Sequence, residues 1–531
     1  MKKNNLSLSQ EIKIIDKKIA TMINQRSRLL SKFSQIRRNR SESFADAALE
    51  KDLWSVWKEE LKKSNQSLVR QLYTIINSLG YSMAEKTSSD KPFCLYPPTA
   101  PINLNIPGPR ATKLSHFVAF LFALSQEKQE IRDFLINDSI IELIKLANQC
   151  GAQLTWQDNI LTGQGRPVQS MDGQNLFINH SLFNFYLFLC LGLGTAGRIK
   201  FNASALLKAV NLRNLESFIP QLGARLYSIE PQSYSLPARL ESSGLLPTEI
   251  YLPEDIDPLF VKALIMSAST YEKGLLIKYD YLDRQSFKEL FSLLKEAGIS
   301  LEIRGMEVAV SPSNPGHVSS EIPLDPFLSG FLLSMAPLSH GRVSLKGTWP
   351  AHSAIAEDIL HLLKRFGIYI TLEENAVIAQ GGTKSNGGMF DLTDRPELAP
   401  LIFPLALSLC DAEKVEFVLS PELENYDIIA QLLAHTGYNF TPHLNGIRVI
   451  SRQASTEKNS PWNSPDPHWT LGYCLLSFTH KGICLANPGN ITTLWPGFWK
   501  IFMNLANKKS ETSAETKGDI DGKPARKRIR V

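Results

Sequence analysis

The chain opens with a helical pattern of apolar residues. Apolar side chains recur at spacings of three and four between residues 12 and 36, which predicts one long amphipathic helix. Two further charged stretches of helical character follow, at residues 45–63 and 67–79, without an internal proline or glycine. Residues 1–85 are therefore predicted to form an all-α module, and long helices of this kind are compatible with a homodimer in which they pair.

After residue 100 the pattern changes to a recurring unit. The end of an amphipathic helix is followed by a glycine and then by alternating apolar residues, as in LLKEAGISLEI and LLKRFGIYITL. A glycine suits the left-handed residue that ends many helices, and the alternation predicts a strand. These glycines are spaced by 72, 75, 69 and 70 residues and are Gly151, Gly223, Gly298, Gly367 and Gly437.

Several copies of the unit continue into a turn and a second alternating stretch, which predicts hairpins such as AGISLEI-RG-MEVAVS. Long apolar segments lie between the copies, for example at residues 327–336 and 398–409. Self-similarity at a fixed period indicates repeated structural units, here of helices and strands together, and therefore an α/β fold. The isolated GxG at Gly163 and Gly165 carries no dinucleotide-binding signature.

Composition changes this picture little. The 531 residues allow two to four domains, and 43% hydrophobic content suffices for their cores. The net charge of +5 is concentrated at the end, where residues 508–531 hold eight Lys or Arg and four Asp or Glu. Residues 506–531 are therefore predicted to be a basic disordered tail, and nucleic-acid binding is not favoured.

The six cysteines are scattered, without a C-x-x-C pair, and most lie in apolar runs. They are expected to be buried free thiols in a reducing compartment. The start of the chain has no apolar signal core, and the apolar run at residues 182–194 is too short to span a bilayer. A cytoplasmic location without a membrane partner follows, and no metal or other cofactor is expected.

The front module resembles the helical chorismate mutase family in the segment IDKKIATMINQR and its continuation. That family holds a dianionic substrate with fixed cations and hydrogen-bond donors. The resemblance places Arg26 at the family's central arginine, Arg37 where a lysine is usual and Glu50 at its acidic residue. Ser9 and Leu49 depart from the pattern. The alternative is that these charges only face solvent.

The remainder resembles the 3-phosphoshikimate 1-carboxyvinyltransferase (EPSP synthase) family. INLNIPGPR stands where the family has its opening loop, and FDLTDRPELAPLIFPLALSL resembles its Asp-x-x-x-x-Pro-Asp-x-x-Pro segment. SPDPHWTLGYCLLSF and TTLWPGFWKIFMNL resemble its late Asp-His-Arg helix and its closing segment. The resemblance covers residues 100–505 and implies two inside-out α/β domains of βαβαββ-type units, the sixth unit built from both ends of this region.

By this resemblance the chain transfers an enolpyruvyl group from phosphoenolpyruvate to shikimate 3-phosphate in aromatic amino acid biosynthesis. The chemistry needs a general acid for the methylene carbon and a base for the attacking hydroxyl. The positions that match catalytic residues of the family are Glu397, Glu422 and Arg110. Those that match substrate-binding positions are Lys113, Asn179 and His468.

Cations are replaced at several of the family's anion-binding positions. Phe185, Trp469 and Thr493 stand where three phosphoenolpyruvate-binding cations are expected, and Asp257 begins the segment that replaces the Ser-Ser-Gln of the shikimate phosphate site. Three charge-assisted hydrogen bonds of about 1.5–3 kcal/mol each amount to on the order of 5–9 kcal/mol of binding. Three hypotheses therefore stand: an EPSP synthase joined to a mutase-like module, a scaffold or regulator that has lost catalysis, and a transferase for a less anionic substrate.

Overall fold

The structure is a computed structural model with two compact units, residues 1–92 with 108–325 (unit 1) and residues 93–107 with 326–531 (unit 2). It describes residues 8–39, 47–63, 69, 72–73, 76, 93–96, 98, 100–157, 159–165, 171–179, 181–204, 207–230, 233–281, 284–318, 322–350, 353–382, 387–420, 424–443, 445–452, 461–480 and 482–507.

Unit 1 contains three sheets and the helices between them. Its sheets have the strand orders β3-β5-β4, β6-β7-β9-β8 and β10-β11-β13-β12. The strands are β3 (Lys128–Ile131), β4 (Gln153–Gln157), β5 (Ile160–Gln164), β6 (Asn175–Ile178), β7 (Ala196–Ala203), β8 (Ala224–Ser228), β9 (Ala238–Ser243), β10 (Glu249–Leu252), β11 (Leu275–Tyr279), β12 (Leu301–Arg304) and β13 (Glu307–Val310). The helices are α3 (Thr112–Leu124), α4 (Asp138–Gln149), α5 (Leu182–Leu193), α6 (Arg213–Phe218), α7 (Pro258–Ala268) and α8 (Arg284–Glu296).

Unit 2 repeats this plan. Its sheets have the orders β15-β16-β14-β2 and β17-β18-β20-β19, with the short pair β1-β21. The strands are β1 (Phe93–Cys94), β2 (Asn103–Pro107), β14 (Arg342–Lys346), β15 (Tyr369–Glu373), β16 (Ala376–Gln380), β17 (Gly388–Asp391), β18 (Val415–Val418), β19 (Tyr438–His443), β20 (Gly446–Arg452) and β21 (Cys484–Leu485). The helices are α9 (Pro326–Leu333), α10 (Met335–Leu338), α11 (Ala354–Arg365), α12 (Ala399–Leu409), α13 (Glu424–His435), α14 (Pro467–Leu476) and α15 (Phe498–Asn507).

The most apolar helices lie buried inside each unit, and the strands have one face towards solvent. In α5 every residue from Phe183 to Leu193 is buried, and α12 is buried at all but one position, because a helix that is apolar on all sides has no face for water. The strands alternate instead, as in β7, where buried and less buried residues take turns. The prediction of two inside-out α/β domains is confirmed.

The repeat glycines follow the helices and precede the strands, as the sequence predicts. All five have a positive φ, between 71° and 108°, and a strand follows each of them closely. The hairpins predicted after Gly298 and Gly367 are β12-β13 and β15-β16. The short sheet β1-β21 pairs a strand that precedes residue 100 with a strand near the end of the region.

Two helices of the front module are described, α1 (Leu8–Asn39) and α2 (Ala47–Glu60). The predicted third helix at residues 67–79 lies mostly outside the described residues. The predicted tail at residues 506–531 begins too early, because residues 506 and 507 still belong to α15, and the remainder from residue 508 lies outside the described residues. No helix in the described part of the chain is both long and apolar enough to cross a membrane.

The expectation of six free thiols is wrong for one pair. Cys94 and Cys484 form a disulfide, because the antiparallel pairing of β1 with β21 places their Cα atoms 4.0 Å apart. Cys190, Cys410 and Cys474 are buried free thiols as predicted, and Cys150 is a partly exposed one.

Candidate functional site

Arg110 lies just before α3 in unit 1, where its backbone bridges to Leu324. Its Nη2 is 3.3 Å from Asp133 Oδ2, and the side chain is only 16% exposed. Lys113 follows on the first turn of α3 and is exposed. The sequence predicts a functional role for both cations. In the structure, Arg110 pairs with a carboxylate of the same chain, whereas Lys113 faces solvent.

Carboxylates of the chain itself occupy two helix N-termini in unit 1. At α3, Asp325 Oδ2 accepts from the Thr112 N–H and hydroxyl, both at 3.2 Å. At α7, Asp257 Oδ1 accepts from the Leu259 N–H at 2.8 Å, and its Oδ2 accepts from the Tyr186 hydroxyl at 3.0 Å. Helix N-termini attract anions, so these positions are already satisfied by internal charge.

The surroundings of Tyr186 keep its hydroxyl protonated, so that it acts as a hydrogen-bond donor. Burial, reinforced by the neighbouring Asp257 carboxylate, raises the pKa of the Tyr186 hydroxyl far above its usual value. The hydroxyl therefore keeps its proton and its hydrogen bond to Asp257. This pair ties α5 to the start of α7.

A polar network lies at the start of α5. Asn184, which is fully buried, donates from Nδ2 to the Ser139 carbonyl at 2.8 Å and to Glu142 Oε1 at 2.9 Å. Its Oδ1 is 2.7 Å from Nε2 of His116 on α3. Glu142 Oε2 accepts from the Asn179 N–H at 2.7 Å, so Asn179 takes part through its backbone while its side chain is exposed.

Phe185 belongs to the core of unit 1. It is 0% exposed, and its ring stands perpendicular to that of Phe201 at a centroid distance of 5.2 Å. Burial of this kind gives an aromatic side chain its full hydrophobic stabilisation. The position that the resemblance assigns to an anion-binding arginine is therefore a packing position in this chain.

In unit 2, Glu397 begins the segment that leads into α12. Its carboxylate is 48% exposed and lies 3.6 Å from Arg395 Nη1. Arg395 also pairs with Asp358 through Nε at 2.9 Å. Glu397 is thus an accessible carboxylate with one cation beside it.

Trp469, at the position that the resemblance assigns to the family's last arginine, is 1% exposed. Its Nε1 donates to Asn425 Oδ1 at 3.2 Å, and Asn425 Nδ2 donates to the Pro396 carbonyl at 2.7 Å. Asn425 therefore connects the indole to the residue directly before Glu397. The indole itself is buried, and its one polar atom is satisfied by Asn425.

His468 lies at the start of α14, where Asp466 caps the helix by accepting from the His468 and Trp469 N–H groups at 2.7 and 3.0 Å. Its ring meets Phe327 edge-on at 5.1 Å, and its Nδ1 is 3.8 Å from Asp466. Thr493 is exposed and donates to the Asn490 carbonyl at 2.9 Å.

The front module shows one of its three predicted residues. Arg26 is partly buried on α1, and its guanidinium lies over the Tyr73 ring at 5.9 Å. Arg37 and Glu50 lie on α1 and α2, but their side chains fall outside the description, as does Glu422 altogether. The structure therefore brings Arg110 and Lys113 onto one helix start, and Glu397 and His468 into one unit.

Sequence reasoning missed the network of His116, Glu142 and Asn184. The available signal was a polar residue inside an apolar helical run, as in SHFVAF and LFNFYLF. Such a residue must find a partner once it is buried. In the described ranges, no three His, Cys, Asp or Glu side chains gather as a metal site.

Comparison with known proteins identifies the family to which these two units are similar. The family model of EPSP synthase (3-phosphoshikimate 1-carboxyvinyltransferase) matches residues 100–502. A 3-phosphoshikimate 1-carboxyvinyltransferase of Marinomonas sp. is 21% identical over 77% of this chain and 98% of its own length. The one of Nitrosopumilus maritimus is 23% identical over 47% of this chain, which spans only 61% of that relative.

Solved structures agree on the fold. EPSP synthase from Acinetobacter baumannii matches with a TM-score of 0.64 at 15% identity, over 78% of this chain and 97% of that one. The enolpyruvyl transferase NikO from Streptomyces tendae matches with a TM-score of 0.60 at 13% identity, over 78% and 97%. The two units thus have the enolpyruvyl-transferase fold. Because the family model covers most of the chain, the chain belongs to the EPSP synthase family.

Proposed function

We propose that this chain transfers an enolpyruvyl group from phosphoenolpyruvate to a hydroxyl of an acceptor in aromatic biosynthesis, and that the acceptor carries no phosphate. Family membership supports the reaction class. The single observation that carries the acceptor class is the Asp257 carboxylate, which already accepts the N–H at the start of α7 and the Tyr186 hydroxyl.

The physical reason is charge. A substrate phosphate beside Asp257 would meet a like charge, and the helix terminus that favours anions is already occupied. Asp325 has the same relation to the start of α3. A hydroxylated acceptor without phosphate avoids this repulsion, since hydroxyls can donate to carboxylates.

Glu397 is the carboxylate proposed to move the proton. In the addition step, the acceptor hydroxyl gives its proton to a base as its oxygen bonds to the enol carbon, and the methylene carbon takes a proton to become a methyl group. In the elimination step, that methyl group returns a proton while the bond between the former enol carbon and the phosphate oxygen breaks, so that phosphate leaves and the double bond forms again. Glu397 is exposed enough to meet a substrate, since its side chain is 48% exposed, and Arg395 Nη1 lies 3.6 Å from its carboxylate.

Phosphate release tests the reaction. The full chain is incubated with phosphoenolpyruvate and either shikimate or shikimate 3-phosphate. We expect release with shikimate to exceed release with shikimate 3-phosphate, and Glu397→Gln to lower it by at least a hundredfold, within the range of one general acid–base group. Glu373→Gln, on the exposed strand β15, is the matched control. Faster release with shikimate 3-phosphate contradicts the proposed acceptor class.

The role of Asp257 is tested separately by Asp257→Ser, which removes the charge but keeps a good helix cap. Calorimetry should show shikimate 3-phosphate binding at least tenfold more tightly to this variant than to the wild-type chain. Asp138→Ser removes an exposed carboxylate from the first turn of α4 and should leave the affinity unchanged. Equal affinities in all three proteins would show that Asp257 does not exclude phosphate.

A second candidate is a regulator of aromatic biosynthesis that binds pathway compounds without turnover. The observation that favours it is the burial of Phe185 and Trp469, which leaves no cation at those two positions. Shikimate binding, without phosphate release from phosphoenolpyruvate in the presence of either acceptor, would select this candidate.

For residues 1–85 we propose a chorismate-binding module, as its resemblance implies, supported by the partly buried guanidinium of Arg26 over Tyr73. Chorismate consumption by the full chain should be lost in Arg26→Ala and retained in Arg28→Ala, whose side chain is exposed. Equal loss in both variants would contradict a specific role for Arg26.

A further inference from the structure

The tautomer of His116 follows from the hydrogen bonds of Asn184. Both hydrogens of the Asn184 amide are used, by the Ser139 carbonyl at 2.8 Å and by Glu142 Oε1 at 2.9 Å. Reversing the amide would place its oxygen against two acceptors. Asn184 Oδ1 therefore faces His116 and can only accept, so the hydrogen between them, across 2.7 Å, belongs to His116 Nε2.

The other ring nitrogen is consequently an acceptor. Burial lowers the pKa of His116 to about 4, so the ring is neutral at pH 7 and Nδ1 carries a lone pair. Nδ1 has no hydrogen-bond partner among the described residues, and the His116 side chain is partly exposed. Nδ1 is therefore an acceptor that the described part of the chain leaves unused.

The network holds the ring in place. Glu142 is held in turn by the Asn179 N–H at 2.7 Å, and the Phe183 ring meets the His116 ring edge-on at 5.2 Å. Three helices, α3, α4 and α5, thus fix one neutral imidazole whose Nδ1 is an acceptor. A side chain that only filled space would need no such chain of directional bonds.

We propose that His116 Nδ1 accepts a hydrogen bond from a hydroxyl of the acceptor substrate and thereby selects a polyhydroxylated compound. This inference rests on the proposed function and adds the residue that recognises a hydroxyl of the acceptor. A hydroxyl offers the hydrogen that Nδ1 needs, whereas a phosphate or carboxylate oxygen presents another lone pair. His116 is a fixed acceptor and not a proton store, because its protonation would place an unpaired charge among buried groups.

Calorimetry with shikimate, a cyclic polyhydroxylated carboxylate, tests the proposal on the full chain. His116→Phe keeps a ring against Phe183 but has no acceptor, and we expect its Kd to rise about tenfold, the loss of one neutral hydrogen bond. His116→Gln retains both a donor for Asn184 and an acceptor, so it should stay within about threefold of the wild-type chain. His317→Phe, on an exposed position of unit 1, is the matched control and should not change the Kd.

Nitrogen NMR of the histidine rings gives a readout that packing alone does not move. The wild-type His116 should show the Nε2–H tautomer at pH 7, and its Nδ1 resonance should shift when shikimate binds. An Nδ1–H tautomer, an unshifted Nδ1, no binding of shikimate, or equal Kd values for His116→Phe and the wild-type chain would overturn the proposal. Shikimate binding that depends on His116 without any phosphate release would leave it standing while the proposed transfer fails.

Discussion

The indole nitrogen of Trp469 donates a hydrogen bond to Asn425 Oδ1 at 3.2 Å, although the two residues lie 44 positions apart in the chain. The indole is buried, and the same asparagine donates to the carbonyl directly before Glu397. A packed aromatic residue with a satisfied polar edge thus takes the place where the family resemblance predicts an arginine.

Replacing these two residues should destabilise unit 2. Trp469→Ala leaves a cavity and is expected to lower the free energy of unfolding by about 3–5 kcal/mol. Asn425→Leu leaves the indole N–H unpaired at a cost of about 1–3 kcal/mol. Urea unfolding followed by circular dichroism measures both changes. Trp156→Ala, where the side chain is 38% exposed, should cost less than either, and a cost equal to that of Trp469→Ala would show that Trp469 is not a packing residue.

Stability should fall as the pH is lowered from 6.5 towards 4. Burial lowers the pKa of both His116 and His480 to about 4, with the Arg452 charge contributing at His480. Unfolded histidine titrates near pH 6.5, so between these values the unfolded chain binds more protons and is favoured. The stabilisation is complete above about pH 6.5 and is lost as the pH approaches the folded pKa.

Melting temperatures measured across this range check the assignment. His116→Gln and His480→Gln should each flatten the loss of stability with falling pH, since each removes one of the protons that unfolding takes up. His317→Gln, at an exposed position, should leave the slope unchanged. A slope that neither buried substitution alters would refute this account.

The front helix should mediate self-association. Ile12, Ile15, Ile19 and Met22 are 59%, 54%, 51% and 66% exposed on α1 and follow the spacing of a coiled-coil seam. Ile15→Glu with Ile19→Glu should convert a dimer to a monomer in sedimentation equilibrium, because charges at seam positions oppose burial. Ile14→Glu, away from that row, should leave the dimer intact. A wild-type chain that is monomeric at tens of micromolar would contradict the pairing.

The disulfide between Cys94 and Cys484 predicts how many thiols of the chain can react before and after reduction. Denatured without reductant, the chain should react with four equivalents of a thiol reagent, and after reduction with six, since Cys94 and Cys484 are paired. Cys94→Ser with Cys484→Ser should lower stability by about 2–4 kcal/mol, the usual contribution of one crosslink. Cys150→Ser, at a free thiol, is the control. Six reactive thiols without reductant would show that the pair is not oxidised.

Local pattern was sufficient for much of the fold. The glycines at 151, 223, 298, 367 and 437 and the hairpins that follow Gly298 and Gly367 depend on backbone conformations that neighbouring residues impose. Repetition of that local signal was enough to predict the inside-out α/β units, because an apolar helix must be buried and an alternating strand has one wet face.

The candidate site could be predicted only in part. Position in a family motif selected Arg110, Glu397 and His468, but not their charge partners Asp133 and Arg395. His116 and Asn184 carried no motif, and their significance depends on a hydrogen bond between helices 68 residues apart.

The sequence by itself therefore determined the repeated α/β architecture and the family, since these follow from local periodicity and ordered motifs. Tertiary structure alone decided that Asp257 meets Tyr186, that His116 Nε2 meets Asn184 Oδ1 and that Cys94 pairs with Cys484 across 390 residues. Each is a contact between segments distant in the chain, and no local pattern encodes which distant group will satisfy a buried polar atom.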